Sequence, residues 1–260
     1  MPSMPAFELV NAEGAPSLLF TADHAANTVP TEVSGGDLGL PPEDMARHIA
    51  YDVGVRGVTI GLAEAFGAPA VLSTFSRLVI DPNRGEDDPT LVMKLTDGSV
   101  IPGNRHVDGA EVAARLGAWH RPYHGAIRRQ LDRAAAAGAT PAIVSMHSFT
   151  RQFRGRPRRP WHVGVLWDED PRLAAPLLDR LREERDLVVG DNEPYSGALK
   201  GDAMWTHGTR RGLPHALIEI RNDLIADQAG QREWVDRLIP VLRDALTQMP
   251  AERPDAAAAQ

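Results

Sequence analysis

The chain has 260 residues, 43% of them hydrophobic, which is enough to bury the core of one sizeable α/β domain. Its 28 Lys plus Arg against 35 Asp plus Glu give a formal net charge of −7, which disfavours nucleic-acid binding because phosphate neutralisation needs a concentrated basic face. The absence of cysteine excludes disulfides, thiolate nucleophiles and cysteine-based metal sites, so a metal must be held by His, Asp or Glu.

The predicted elements alternate between strands and helices. Short apolar runs predict strands over residues 17–23, 68–76, 141–148, 161–168, 186–191 and 215–223. Helical patterns cover residues 41–66, 108–137, 170–186 and 227–249, with a break expected at Pro122. This alternation predicts an α/β fold, a single three-layer domain with a mostly parallel mixed sheet between helices. In such sheets ligands bind at the carboxyl ends of the strands.

The chain ends and the longest loop carry further expectations. We expect one domain over residues 1–249 and a disordered tail over residues 250–260, which are rich in Pro, Ala and charge. With neither a signal-peptide pattern nor a long apolar run, the chain is expected to be soluble and cytoplasmic, with no membrane partner. The turn-rich loop over residues 82–108 is typical of a functional or mobile segment.

Polar residues at the predicted strand ends are the first candidates for chemistry. His24 and Asn27 follow the first apolar run, and His147 ends the third. Glu219 interrupts the last apolar run, with Arg221 two residues on and therefore on the same side. A buried glutamate is costly unless it is paired or linked to a metal. Two histidines and a carboxylate at one sheet edge could form a catalytic zinc centre, although the pattern does not choose the third ligand.

Other histidines share a helical spacing. His48 and Asp52 lie four residues apart on a predicted helix, which indicates a shared face and a simple hydrogen-bonded pair. His120 and His124 have the same spacing, but Pro122 lies between them and no glutamate accompanies them. This favours a substrate-facing or packing role over metal binding.

Basic residues indicate where an anion could bind. Arg77 and Arg84 flank an apolar stretch that also carries Asn83, and the arginine fork matches a carboxylate with two hydrogen bonds. Ion-paired arginines at a strand edge are the alternative interpretation. The basic run over residues 151–160 is interpreted as a solvated loop or an anion-facing loop.

Together these segments resemble the N-formylglutamate amidohydrolase family, particularly its shorter branch. The resemblance extends from about residue 17 to residue 245 and is carried, in family order, by "DHAANTVP", "ARHIAYDVG", "SRLVIDPNR", "WHRPYH", "HSFT", "WHVGVLWD", "GDNEPYSG" and "IEIRNDLI". The family is related to the zinc carboxypeptidases and aspartoacylases, so the resemblance implies a zinc-carboxypeptidase-like (phosphorylase/hydrolase-like) fold. It also implies one Zn²⁺ per chain and a small N-acyl amino acid as substrate.

The resemblance also implies roles for individual residues. His24 and His147 match the zinc histidines, and Glu219 matches the catalytic general acid/base. The carboxypeptidases place a glutamate ligand three residues after the first histidine, where this chain has Asn27, and a neutral amide is a poor zinc ligand. Asp52 belongs to a motif shared with the longer members of the family, so the resemblance implies that it is the replacement ligand, with Asn27 contacting the substrate or the ligand residues.

Substrate binding is assigned by the same resemblance. Arg84 with Asn83 would clamp the substrate α-carboxylate, and Arg221 would hold Glu219 or a second carboxylate. The candidate donors to the oxyanion are Arg77, His120 and His124.

Alternatives remain open at this stage. The enzyme could hydrolyse another N-acyl amino acid or a small peptide-like amide, which a substrate panel would distinguish from formate release from N-formyl-L-glutamate. A non-catalytic member that binds a carboxylated ligand would be recognised by metal analysis. A phosphate-binding protein is disfavoured because the chain lacks a Gly-rich phosphate loop.

Overall fold

A computed structural model describes residues 2–252 and is organised around one seven-stranded sheet. The strands in chain order are β1 (Phe7–Val10), β2 (Leu18–Ala22), β3 (Ala70–Ser73), β4 (Leu95–Thr96), β5 (Ser99–Val100), β6 (Ala142–Phe149), β7 (Val163–Leu166), β8 (Val189–Asp191) and β9 (His215–Arg221). The sheet order is β1-β3-β2-β6-β9-β7-β8, and β4 and β5 form a separate hairpin. Four of the six strand pairings are parallel; β1 with β3 and β7 with β9 are antiparallel.

Helices cover both faces of the sheet. They are α1 (Pro42–Met45), α2 (Val55–Phe66), α3 (Gly109–Arg115), α4 (Arg121–Ala136), α5 (Pro171–Arg182), α6 (Ala203–His207) and α7 (Gln228–Gln248). One buried apolar cluster joins α2, α5 and α7 to the sheet, and a second joins α4 to its other face. The predicted three-layer α/β fold with a mostly parallel mixed sheet is confirmed.

The six predicted strands are all present, whereas one predicted helix is wrong in its middle. The helix expected over residues 41–66 is interrupted, because residues 46–54 form turns between α1 and α2. Gly54 turns the chain at φ 82°, and a Cβ there would lie 1.9 Å from the carbonyl oxygen of Ile225. The shared helical face predicted for His48 and Asp52 is therefore also wrong. His48 Nε2 instead lies 3.5 Å from Asp97 Oδ2.

The break predicted at Pro122 is wrong as well. Residues 116–120 form a single π-helical turn between α3 and α4, closed by a hydrogen bond from the Arg121 N–H to the Leu116 carbonyl. A proline ring collides with the carbonyl of the preceding helical turn, and the wider π turn relieves that contact. The helical path therefore continues through Pro122 to Ala136.

Three expectations concern the disordered tail, the single domain and the absence of a membrane-spanning segment. Residues 253–260 of the expected tail lie outside the described part of the chain, and the single domain over residues 1–249 stays a prediction. Within residues 2–252, no helix combines the length and apolarity needed to cross a membrane.

Candidate metal and active site

Three predicted site residues meet at the carboxyl edge of the central strands. His24 follows β2 by two residues, while His147 on β6 is paired in register with Glu219 on β9. All three side chains are buried, at 2%, 2% and 6% exposure. Parallel strands end at the same edge, which is why residues far apart in sequence converge here.

The two histidines approach one carboxylate oxygen. His147 Nδ1 lies 2.9 Å and His24 Nδ1 lies 3.4 Å from Asp52 Oδ2, which also accepts a hydrogen bond from the Ser148 N–H. One ligand atom from each of His24, Asp52 and His147 falls within 4.8 Å of the other two. The turn segment before Gly54 brings Asp52 to this position, so the loop that replaced the expected helix completes the group. These three residues could hold a metal ion.

Two outer carboxylates fix the opposite edges of the imidazole rings. His24 Nε2 donates to Asp81 Oδ1 at 2.7 Å, and His147 Nε2 donates to Asp23 Oδ2 at 2.9 Å. Tyr123 in turn donates to Asp23 Oδ1 at 2.7 Å. Carboxylate partners of this kind orient a histidine and select the nitrogen that faces a metal. Sequence reasoning assigned no role to Asp23 or Asp81, although each directly follows an apolar run.

The pKa shifts at this group follow from burial and the close charges. Burial alone would lower the pKa of His147, but hydrogen bonds to Asp23 and Asp52 outweigh it and hold that pKa well above 6.5. Burial would raise the pKa of Asp81, yet the charge of Arg77 and the contact with His24 hold it well below 3.8. The pKa of Asp52 is lowered against burial by the two histidines. The carboxylates are thus ionised, as metal binding requires.

Glu219 differs from these carboxylates because burial outweighs the nearby charges of His147, His24 and Arg77. Its Oε2 is buried without a hydrogen-bond partner among residues 2–252, and burial raises its pKa to about 7. Arg221 was expected to hold Glu219 or a second substrate carboxylate, but it forms no ion pair with Glu219 and does not line the cavity in the described part of the chain. Arg221 Nε donates to Asp223 Oδ1 at 2.7 Å, and this local ion pair turns the guanidinium away. A carboxyl group with a pKa near neutrality suits a general acid/base.

A cavity of about 430 Å³ opens onto this group. Arg77, Asn83 and Arg84 line it, and Arg77 also binds Asp81 through Nη2 at 2.7 Å. Arg77 Nε is buried and has no acceptor in the described part of the chain. Arg84 forms no ion pair with any carboxylate there and donates only to the Asn83 carbonyl, at 3.3 Å. The cavity therefore presents an arginine whose charge is free for an incoming anion.

Three expected substrate-binding residues lie elsewhere. His120 Nε2 donates to the Arg84 carbonyl and His124 Nε2 to the Pro82 carbonyl, both at 2.9 Å, so these rings pack behind the loop instead of lining the cavity. Asn27 is exposed, does not line the cavity, and donates to the Met45 carbonyl at 2.9 Å. The two histidines fix the backbone of Pro82 and Arg84, and Asn27 holds the end of α1.

The basic run over residues 151–160 forms one edge of the cavity mouth. Arg159 stacks over the rings of Phe153 and Tyr195, at 4.1 and 4.8 Å, and donates to the Tyr195 hydroxyl at 2.9 Å. Phe153 and Tyr195 both line the cavity, whereas the other arginines of the run are exposed. The run is thus a solvated loop in which one arginine orders two aromatic side chains.

The fold and the site define a three-layer α/β protein with a buried His–Asp–His group at the carboxyl edge of its sheet. The N-formylglutamate amidohydrolase family model matches residues 16–226, and the chain belongs to this family. An N-formylglutamate deformylase of Pseudomonas putida is 30% identical over 215 residues, which is 75% of each chain.

Two solved structures are also similar. A gene product of Agrobacterium tumefaciens has 34% identity and a TM-score of 0.88, covering 94% of this chain and 96% of that one. An N-formylglutamate amidohydrolase of Ralstonia eutropha has 22% identity and a TM-score of 0.72, covering 94% and 98%. The second likeness is one of fold alone.

Proposed function

We propose that the protein is a zinc-dependent amidohydrolase that cleaves the amide bond of an N-acyl amino acid, with N-formyl-L-glutamate, giving formate and L-glutamate, as the first substrate to test. The observation that carries the proposal is the His24–Asp52–His147 group with the unpartnered carboxyl of Glu219 beside it. Family membership and the deformylase relative support the same reaction.

The donor set fits a zinc ion. Two imidazole nitrogens and one carboxylate oxygen are the ligands of many catalytic zinc sites, which keep a further position open. Asp81 and Asp23 already hold the other ring nitrogens, so both Nδ1 atoms face the same side. When bound, the ion would supply Lewis-acid activation of water and of the amide carbonyl.

The remaining chemistry belongs to the side chains. Glu219 takes the proton of the attacking water and delivers it to the leaving amine, a role suited to a pKa of about 7. Arg77 has an unused Nε donor beside this group, which supports the assignment of oxyanion stabilisation to it. Arg84, with Asn83, binds the α-carboxylate, because Arg84 is the lining arginine without an ion pair in the described chain.

The test measures formate release together with bound metal. The wild-type protein should release formate from N-formyl-L-glutamate, lose activity with a chelator and regain it with zinc. Glu219→Gln should keep zinc but lose turnover by roughly 10²–10⁴-fold, whereas His147→Ala should lose both. Asp52→Asn should retain less zinc. Near-normal turnover in Glu219→Gln would refute the base assignment, and unchanged zinc in Asp52→Asn would refute the ligand assignment.

A further inference from the structure

The loop that carries the carboxylate clamp, Asn83 with Arg84, is held from behind by two histidines of one helical segment. The Pro82 carbonyl accepts a hydrogen bond from His124 Nε2, and the Arg84 carbonyl accepts one from His120 Nε2, both at 2.9 Å. These contacts lie on either side of Asn83. The backbone position of the clamp therefore depends on where the two imidazole rings lie.

The short helix α6 contacts the same loop at both of its ends. At its first residue, the Ala203 N–H donates to Asn83 Oδ1 at 3.1 Å. At its last residue, His207 Nε2 lies 2.8 Å from His124 Nδ1, and His124 in turn binds the carbonyl of the residue before Asn83. A continuous series of hydrogen bonds thus runs from the end of α6 through His124 to the clamp loop and back to the start of α6.

The directions of these hydrogen bonds follow from their acceptors. A carbonyl oxygen only accepts, so His124 carries its proton on Nε2 and presents a lone pair at Nδ1. His207 therefore donates from Nε2. The two ring centroids are 5.1 Å apart and the ring planes differ by 22°, so the rings lie edge to edge and the donor points at the lone pair. Burial lowers the pKa of His124 to about 4 and of His207 to about 3, so both rings are neutral near pH 7, as this arrangement requires.

The contact between the two histidines is closed to solvent. His124 is 9% exposed and His207 is 2% exposed. A buried acceptor that loses its donor is destabilised, because no solvent replaces the hydrogen bond. Without the His207 donor, His124 gains by moving toward another donor, and the Pro82 carbonyl that it holds moves with it. A displacement of about 1 Å in a group that positions substrate is enough to impair an enzyme strongly.

We propose that His207, acting through His124, is a positioning residue for the carboxylate clamp. It holds Asn83 and Arg84 in the arrangement that binds the α-carboxylate of the substrate. The inference rests on the proposed function, which assigns that carboxylate to Arg84. It extends the binding machinery to a residue that does not itself line the cavity.

Steady-state kinetics of the zinc-loaded protein with N-formyl-L-glutamate test the inference, with kcat normalised to bound zinc. His207→Leu should raise KM roughly five- to tenfold with kcat nearly unchanged, because one hydrogen bond that supports substrate binding is lost. His207→Gln should restore KM to near the wild-type value, since the glutamine amide can donate to His124 Nδ1 from the place of Nε2. His106→Leu, the same change at an exposed histidine outside the cavity lining, is the matched control and should keep the wild-type KM. A partly unfolded sample lowers the amount of active enzyme but not KM, so a loss of stability does not imitate the expected result.

A double-mutant cycle with Arg84→Ala locates the effect in the clamp. Two residues that act through one contact have non-additive effects, so His207→Leu should change KM by less than about twofold when Arg84 is already alanine. The full rise in KM in that background would overturn the inference. So would an unchanged KM in His207→Leu alone, or a His207→Gln variant as impaired as His207→Leu, and each of these results would leave the proposed function intact. A wild-type protein that releases no formate would instead overturn the proposed function and the inference with it.

Discussion

Replacing Glu219 with glutamine should stabilise the metal-free protein at alkaline pH. The folded protein holds the pKa of Glu219 at about 7 against an ordinary value of 4.5, because burial disfavours its charge. The folded state therefore binds this proton more tightly than the unfolded chain does. The stabilisation associated with the protonated carboxyl is complete below pH 4.5, declines as the pH rises, and is lost above about pH 7. Glutamine is neutral throughout and escapes this loss.

The size of the effect follows from the two pKa values. One pH unit between them corresponds to about 1.4 kcal/mol, so the interval from 4.5 to about 7 corresponds to ~3 kcal/mol. At pH 5 the glutamate of the unfolded chain is already partly ionised. Part of the ~3 kcal/mol of stabilisation has therefore been lost by that pH. The stability gain of Glu219→Gln over wild type should therefore be larger at pH 8 than at pH 5 by roughly 2–3 kcal/mol.

Urea unfolding of chelator-treated protein at the two pH values measures this difference. Glu64→Gln, an exposed position on α2, is the matched control and should behave like the wild type at both pH values. If the gain of Glu219→Gln changed by less than about 0.5 kcal/mol between them, the magnitude of an ordinary surface substitution, the buried and unpaired state of Glu219 would be refuted.

Three further predictions concern the surroundings of the site. Asp81→Asn should weaken zinc binding by roughly 10- to 100-fold in a chelator competition, and unchanged affinity would show that Asp81 does not orient His24. Arg84→Ala should lower kcat/KM by roughly 10- to 100-fold, mainly through KM and with zinc retained; an unchanged KM would refute the carboxylate clamp. Burial lowers the pKa of His124 to about 4 and of His207 to about 3, so protons bind the unfolded chain first. Stability should therefore fall as the pH drops below 6.5, by about 3 kcal/mol for each histidine near pH 4. The urea midpoint should therefore fall less steeply in His207→Gln, and identical pH profiles would contradict this.

The sequence alone predicted six of the seven strands of the sheet and the residues at their ends, but not β1. A continuous apolar run interrupted by a polar residue is a local signal, and His24, His147 and Glu219 each carry it. The outer carboxylates could not be predicted, because Asp81 and Asp23 bind histidines 57 and 124 residues away. No pattern in sequence spacing encodes such pairs; the strand order creates them.

Local competition explains the remaining differences. Arg221 was expected to pair with Glu219 two residues before it, but Asp223 lies two residues after it and is the more exposed of the two carboxylates. An ion pair with a partly exposed carboxylate needs less desolvation than one with a buried carboxylate. Two other differences depend on tertiary contacts of the backbone. Asn27 binds the Met45 carbonyl instead of a substrate, and the helix expected over residues 41–66 is interrupted after Met45.

The π turn over residues 116–120 sets the rotational phase of the helix that follows it. Each residue of an α-helix advances the side chains by about 100°, and a π turn contains one residue more than the α turn it replaces. Arg115 before the turn donates to the Val79 carbonyl, and Tyr123 after it donates to Asp23. A straight helix with one residue fewer could not present both side chains to these two partners. Deleting a single residue here would therefore rotate Tyr123 away from Asp23, the carboxylate that binds His147. The candidate metal-binding group would change although none of its own residues had been altered.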